Sequence, residues 1–159
     1  MNVRPIILFT CALLFLTARV YSGELPEMAS AAGVDSGLAI HVGATDGEVE
    51  IQLAKNGRIL VQGLTTDQDH LRASRNAIQK TGDYGLASVV MTASYTRLPY
   101  ANDLANLVVA DLDRLGPDAP TAEEIRRVLA PHGVAYLRKD GKWTKTIEPL
   151  PNDVDDWPQ

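Results

Sequence analysis

Short apolar runs and amphipathic stretches alternate along most of this 159-residue chain. The runs at 38–42 (LAIHV), 59–62 (ILVQ), 87–91 (ASVVM), 107–110 (LVVA) and 133–137 (GVAYL) are brief, continuous and mostly apolar. That is the pattern of strands buried on both faces, as in a parallel sheet. Segments with helical spacing lie between them. Residues 46–56 put Val49, Leu53 and Ala54 on one face, and Asn56-Gly57 stops the helix. Thr66 and Asp67 can cap a helix over 68–81, with Leu71, Ala73, Ala77 and Ile78 as its apolar stripe and Gly82 as its end. Thr121, with Glu124 three residues on, reads as a capping box opening a helix that runs to Ala130-Pro131.

Strands alternating with helices predict one α/β domain with a doubly wound, mainly parallel sheet. Ligands in such sheets sit beyond the carboxyl ends of the strands, near the point where strand order reverses. The segments after each strand, 43–47, 63–67, 92–95 and 111–113, are therefore the candidate site. Asp111 and Asp113 are expected there as solvated loop acids. After the fifth run the chain offers one short strand, 143–147, before an end rich in charge and proline. The sheet is accordingly expected to be truncated after its fifth strand. The domain is assigned to 37–138, with a small, polar lead-in at 23–36 and a tail or linker at 139–159. A short helix over 26–32 fits the lead-in. Trp143 and Trp157 are candidates either for docking a neighbouring domain or for packing on this one.

The first residues change the picture. Arg4 precedes an apolar run, IILFTCALLFLTA, and no charge occurs between Arg4 and Arg19. A cationic start and an apolar stretch of this length predict a secretory signal over 1–22, cleaved after Ser22; a retained single-helix anchor is the alternative. The expected location is outside the cytoplasm, periplasmic or extracytoplasmic, with membrane contact only through this segment. Cleavage would remove two cations and no acid, taking the net charge from −5 to −7, and would also remove Cys11, the one cysteine. The mature domain would then have no disulfide, no thiol nucleophile and no thiolate metal site. The acidic balance disfavours nucleic acid as a partner. His70 and His132 lack metal-pair spacing.

The motifs after the strands carry a resemblance. His41-Val42-Gly43-Ala44-Thr45-Asp46-Gly47 resembles the glycine-rich first motif of class I S-adenosylmethionine-dependent methyltransferases. Gly63-Leu64-Thr65-Thr66-Asp67 lies where that family ends its second strand. Arg97-Leu98-Pro99-Tyr100 before Asp103 is similar to its LPF-type loop, and residues 125–134 (IRRVLAPHGV) resemble its RVLxPGG signature. The resemblance implies a Rossmann-like methyltransferase fold with S-adenosylmethionine as cofactor and a small-molecule acceptor that the motifs do not identify. Carried over by position, the implied cofactor-binding residues are Gly43, Asp46, Gly47, Thr65 and Ser94; no catalytic residue is implied. The tail, Gly141-Lys142-Trp143-Thr144-Lys145-Thr146 followed by an acidic Asp-Trp segment, looks like the junction in exported bacterial proteins that place a methyltransferase-like domain ahead of a quinoprotein-type β-propeller. On that resemblance a β-propeller domain is the implied partner.

The sequence also departs from the family's pattern. Thr45 stands where the middle glycine is usual, and His41 replaces the first-strand carboxylate. Thr65 replaces the acid that accepts the ribose hydroxyls, and Ser94 the acid that meets adenine. Charge-assisted hydrogen bonds are worth roughly 1.5–3 kcal/mol each, so their loss weakens a cofactor site. Two readings follow: a methyltransferase with a degenerate cofactor site, or a non-catalytic exported binding or scaffold module on the same fold. A nicotinamide-dependent Rossmann enzyme fits less well, because Thr45 and Glu48 replace the second and third glycines of its turn.

Overall fold

The computed structural model describes Met28 and residues 32–83 and 85–150. The expected signal over 1–22 with Cys11, most of the lead-in helix over 26–32, and Trp157 in the tail lie outside the described residues. The described elements are β1 (Gly37–Val42), α1 (Glu48–Ala54), β2 (Ile59–Thr65), α2 (Gln68–Thr81), β3 (Ala87–Met91), β4 (Ala105–Asp111), α3 (Leu112–Leu115), α4 (Ala122–Val128), β5 (Leu129–Lys139) and β6 (Lys142–Ile147). A 3-10 turn at Gly116–Asp118 follows α3.

The six strands form one sheet in the order β3-β2-β1-β4-β5-β6. The first five are parallel, and β6 returns antiparallel along β5. Strand order reverses between β1 and β4, so their carboxyl ends flank a crevice. The short strand expected at 143–147 is β6, one residue longer. Asp140-Gly141 makes its hairpin turn, with φ of 52° and 73°, as two-residue hairpins with the twist of natural strands require.

Strand alternation divides the core in two. Ala39, Val61, Leu107 and Val109 face α1 and α2, where Leu53, Ala54, Leu71 and Ile78 cover them. Ile40, Val42, Leu64, Val108 and Ala135 face the other way, under Ile125 and Val128 of α4 and Leu98 of the loop after β3. Met28 and Ala32 are buried in the first cluster, so the small, polar lead-in contributes core.

The limits of α2 and β3 match expectation; α1 is shorter than the expected 46–56, β4 is longer than the expected 107–110, and four further details differ. β2 does not stop at Gly63 but continues to Thr65. The buried stripe of α2 is Leu71, Ser74 and Ile78, while Ala73 is exposed. Ser74 takes that place because the helix passes so close to Gly47 that a Cβ there would lie 2.8 Å from the Ser74 carbonyl oxygen. The last helix ends at Val128, and β5 begins at once with Leu129. Between the pairs Ala105–Leu129 and Leu107–Val134 the ladder shifts register, with His132 exposed at φ 63° in the bulge.

The capping box is the fourth difference. Thr121 Oγ1 accepts from the Glu124 N–H at 3.1 Å, as a cap should. The Glu124 carboxylate turns instead to the loop before β4, accepting from Leu98 N at 2.7 Å and from Arg127 Nη2 at 2.6 Å and Nε at 2.9 Å. Arg127 also donates to the carbonyls of Tyr100 and Leu98 and to Asn102 Oδ1. One bidentate ion pair therefore binds residues 98–102 to α4.

Hydrogen bonding by Arg127 holds the Glu124 carboxyl below its ordinary value of 4.5. The stability this pair contributes is present above the unfolded value and is lost as pH falls through the folded value. We expect the wild-type melting temperature to fall below pH 4.5 more steeply than that of Glu124→Gln. Parallel melting curves for the two proteins over that range would refute the assignment.

Candidate functional site

The turn between β1 and α1 stands at the β1–β4 crevice. Gly43 and Gly47 have φ of 91° and 84°, in a region where a side chain is strained by about 1–2 kcal/mol. Gly43 N and Ala44 N both donate to Leu64 O, which ties the turn to β2. Asp46 is exposed, and its Oδ1 accepts from Glu48 N at 3.1 Å, closing the approach to α1. A cavity of about 230 Å3 opens beside the turn. Thr45, Asp46 and Glu48 form one side of it, His41 and Asp111 the strand ends, Arg114 a cation, and Met28, Val109 and Trp143 the apolar wall.

Beneath the turn is a pair that sequence reasoning missed. Glu50 of α1 is wholly buried, and its Oε1 lies 2.6 Å from His41 Nδ1. Both residues sit at the β1–β2 junction because Gly63, paired in register with His41, has no side chain. A Cβ at 63 would lie 2.2 Å from Glu50 Oε1 and 2.9 Å from its carboxyl carbon. His41 is thus held by its Nδ1 while its ring lines the cavity. The available signal was Gly63 itself: glycine inside a strand often marks a close approach from another element. The helical pattern hid Glu50, since Val49, Leu53 and Ala54 already accounted for an apolar face.

The remaining predicted residues lie apart from the cavity. Thr65 is fully buried at the end of β2. Its Oγ1 accepts from Asp67 N at 3.2 Å and donates to Asp67 O at 3.4 Å. Asp67 in turn caps α2, accepting from Asp69 N and His70 N, and those backbone N–H groups lower its pKa. Ser94 closes a local turn with Thr96, through its hydroxyl at 2.8 Å and the Thr96 N–H at 3.1 Å. The turn residues Gly43, Asp46 and Gly47 are therefore grouped at the crevice, while Thr65 and Ser94 are engaged within their own loops.

Asp111 is half-buried and Asp113 is exposed, as expected of a loop acid, but both have protein partners. Asp111 caps α3 at Arg114 N and pairs with Arg138 at 3.1 Å. Asp113 accepts from Gly141 N at 2.8 Å and Asp140 N at 2.9 Å, which lowers its pKa. Trp143 stacks on Tyr136, with ring centroids 5.1 Å apart. No group of three or more histidine, cysteine or acidic residues among the described residues could hold a metal ion.

No family model matches the sequence, and no curated protein matches it. Solved structures do. A protein described as an S-adenosyl-L-methionine-dependent methyltransferase from Methanococcus maripaludis aligns with a TM-score of 0.63 at 19% identity, over 71% of this chain and 54% of its own. A SAM-dependent methyltransferase from Aquifex aeolicus aligns with a TM-score of 0.56 at 21% identity, over 72% and 63%. The domain has a Rossmann-like methyltransferase fold. The 4+2 cyclase SpnF also aligns, with a TM-score of 0.60 at 21% identity, over 72% of this chain and 45% of that one. The methyltransferase fold therefore leaves the reaction open. The aligned part of this chain spans 45% to 63% of the length of these three proteins.

The Gly63–Glu50 contact yields a direct test. Gly63→Ala should destabilise the domain by about 2–3 kcal/mol, because its methyl enters space held by a buried carboxylate. In a Glu50→Ala background the same substitution should cost less, the remaining cost coming from the Ala44 Cβ 2.9 Å away. A double-mutant cycle by urea unfolding measures this coupling, and additive effects would mean that Glu50 does not occupy that space in solution.

Proposed function

We propose that this chain is an S-adenosylmethionine-dependent methyltransferase-like domain that seats the cofactor in the β1–β4 crevice and transfers a methyl group to an acceptor as yet unidentified. One observation carries the reading: a turn with two positive-φ glycines opens on a cavity of about 230 Å3 where strand order reverses. The residues fit the amino-acid end of the cofactor. Gly43, Asp46 and Gly47 would hold that end, with the acids of the cavity able to meet its amine. They fit its nucleoside end less well, since the hydroxyls of Thr65 and Ser94 already serve their own loops.

S-adenosylmethionine supplies a methyl group already activated by a positive sulfur, so a protein of this class acts chiefly by alignment. Here the alignment would come from the turn, fixed to β2 through Leu64 O, and from the strand ends of β1 and β4. His41, its Nδ1 held by Glu50, is the titratable ring in the cavity wall best placed to take a proton from an acceptor that needs a base.

A second reading, a non-catalytic exported binding or scaffold module, is favoured by the same nucleoside-end residues and by the side chain of Leu115 standing against Gly43. Both readings share the proposed secretory signal, a location outside the cytoplasm and a quinoprotein-type β-propeller partner; these rest on the apolar run at 6–18 and on the tail motif.

Calorimetric titration of the full chain with S-adenosylmethionine and S-adenosylhomocysteine separates the two. Micromolar binding that Gly43→Val weakens supports the cofactor reading. The absence of heat and of any thermal shift at millimolar ligand leaves the scaffold reading.

A further inference from the structure

α3 is a helix of four residues, none of them buried. A helix this short does not hold its own position, because one turn fixes too many dihedrals for the bonds it makes. Its place is set by tethers at both ends. Asp111 caps it at Arg114 N and pairs with Arg138 of β5. Asp113 takes both N–H groups of the β5–β6 hairpin turn, at Asp140 and Gly141. On the side facing the crevice, Arg114 donates from its guanidinium to the carbonyl of Gly43. Leu115 lies over the same residue, so that a Cβ at Gly43 would meet its Cδ2 at 2.9 Å.

We propose that α3 is a latch over the glycine turn: the hairpin turn holds it shut through Asp113, and a ligand seats against Gly43 only when Arg114 and Leu115 move away. This inference rests on the reading of the turn as a ligand seat. Opening is local. Arg114 is exposed and exchanges one carbonyl for water, and Leu115 is only half-buried. The sheet registers are untouched by it. Apparent affinity is the intrinsic affinity multiplied by the open fraction, so a well-latched domain binds weakly even with an intact seat. Because Asp113 joins α3 to the hairpin, displacement of the hairpin turn releases the latch.

The test uses the full chain as wild type and as Asp113→Ala, Arg114→Ala and Leu115→Ala. Amide hydrogen exchange is followed at position 114, whose N–H is held by Asp111 while α3 is in place. Exchange there should be about fivefold faster or more in the variants, with 107–110 in β4 unchanged, as a shift in the open fraction requires. S-adenosylhomocysteine should bind Leu115→Ala about tenfold more tightly than wild type. Arg114→Ala keeps the apolar contacts of Leu115 and so guards against a folding defect in Leu115→Ala. Unchanged exchange in all three variants overturns the latch, as does ligand binding of equal, measurable affinity by Leu115→Ala and wild type. Faster exchange without binding by any chain supports the latch and removes the cofactor reading.

Discussion

A carboxylate buried under the first strand is the constraint on which the rest of the domain turns. Glu50 is fully buried, and a buried polar group without a hydrogen-bond partner is destabilising. His41 supplies that partner at 2.6 Å. The pair exists only where three conditions meet: a histidine on the α1-facing side of β1, a glutamate one turn into α1, and a glycine opposite on β2. α1 has seven residues, too few to persist alone in water, so its docking defines it. Leu53 and Ala54 provide the apolar part of that docking, while Glu50 sets its register over the sheet. The turn from Gly43 to Gly47 is the link between the two partners, so its shape follows from theirs.

The other half of the sheet has an equivalent device. The loop after β3 has no regular structure across residues 92–104, and its backbone groups need partners from elsewhere. Arg127 supplies several of them at once, bridging the Leu98 and Tyr100 carbonyls while Glu124 takes the Leu98 N–H. Arginine suits this role because its planar fork serves a carboxylate and carbonyls simultaneously. The Tyr95 hydroxyl accepts from Thr66 N and the Tyr100 hydroxyl donates to Gln62, so the loop also grips β2, and burial raises the Tyr100 pKa. Each side of the crevice is thus fixed by one side-chain pair that helix propensity alone would not foretell.

What could be read from the sequence follows the range of the forces involved. The strand and helix order was legible because it depends on local apolar periodicity, and the limits of α2 and β3 because strong local signals, Asp67 and Gly82, stand at the helix ends. β2 was read too short because glycine normally ends a run; here Gly63 is kept inside the strand by a contact with Glu50 thirteen residues earlier. The last helix was read too long because Leu129 and Ala130 are as acceptable in a helix as in the strand they join. The box at Thr121 was half right, since the Thr121 cap is local but the partner of Glu124 lies 26 residues away at Leu98. At the site, the glycine turn was legible as a motif. The partners that occupy Thr65, Ser94 and Asp113 were not, because hydrogen bonds made within loops leave no periodic trace.

These contacts also explain why a fold so readily assigned leaves its chemistry unsettled. A binding site keeps some polar groups unsatisfied by the protein, ready for a ligand. In this domain Thr65, Asp67, Ser94, Asp111 and Asp113 each have protein partners. A ligand that recruits the Thr65 or Ser94 hydroxyl competes with bonds already made, so it gains the difference between two interactions rather than a whole one, about 1 kcal/mol or less in place of 1.5–3, while the exposed carboxylates of Asp67 and Asp113 keep acceptor capacity. Groups at the crevice less fully engaged are the indole N–H of Trp143, which has no hydrogen-bond partner among the described residues, the wall-facing ring of His41 and the exposed carboxylates of Asp46 and Glu48. On the proposed reading, recognition would fall on the amino-acid-sized cavity beside the turn, and the strand ends that would read a nucleoside would contribute shape more than affinity.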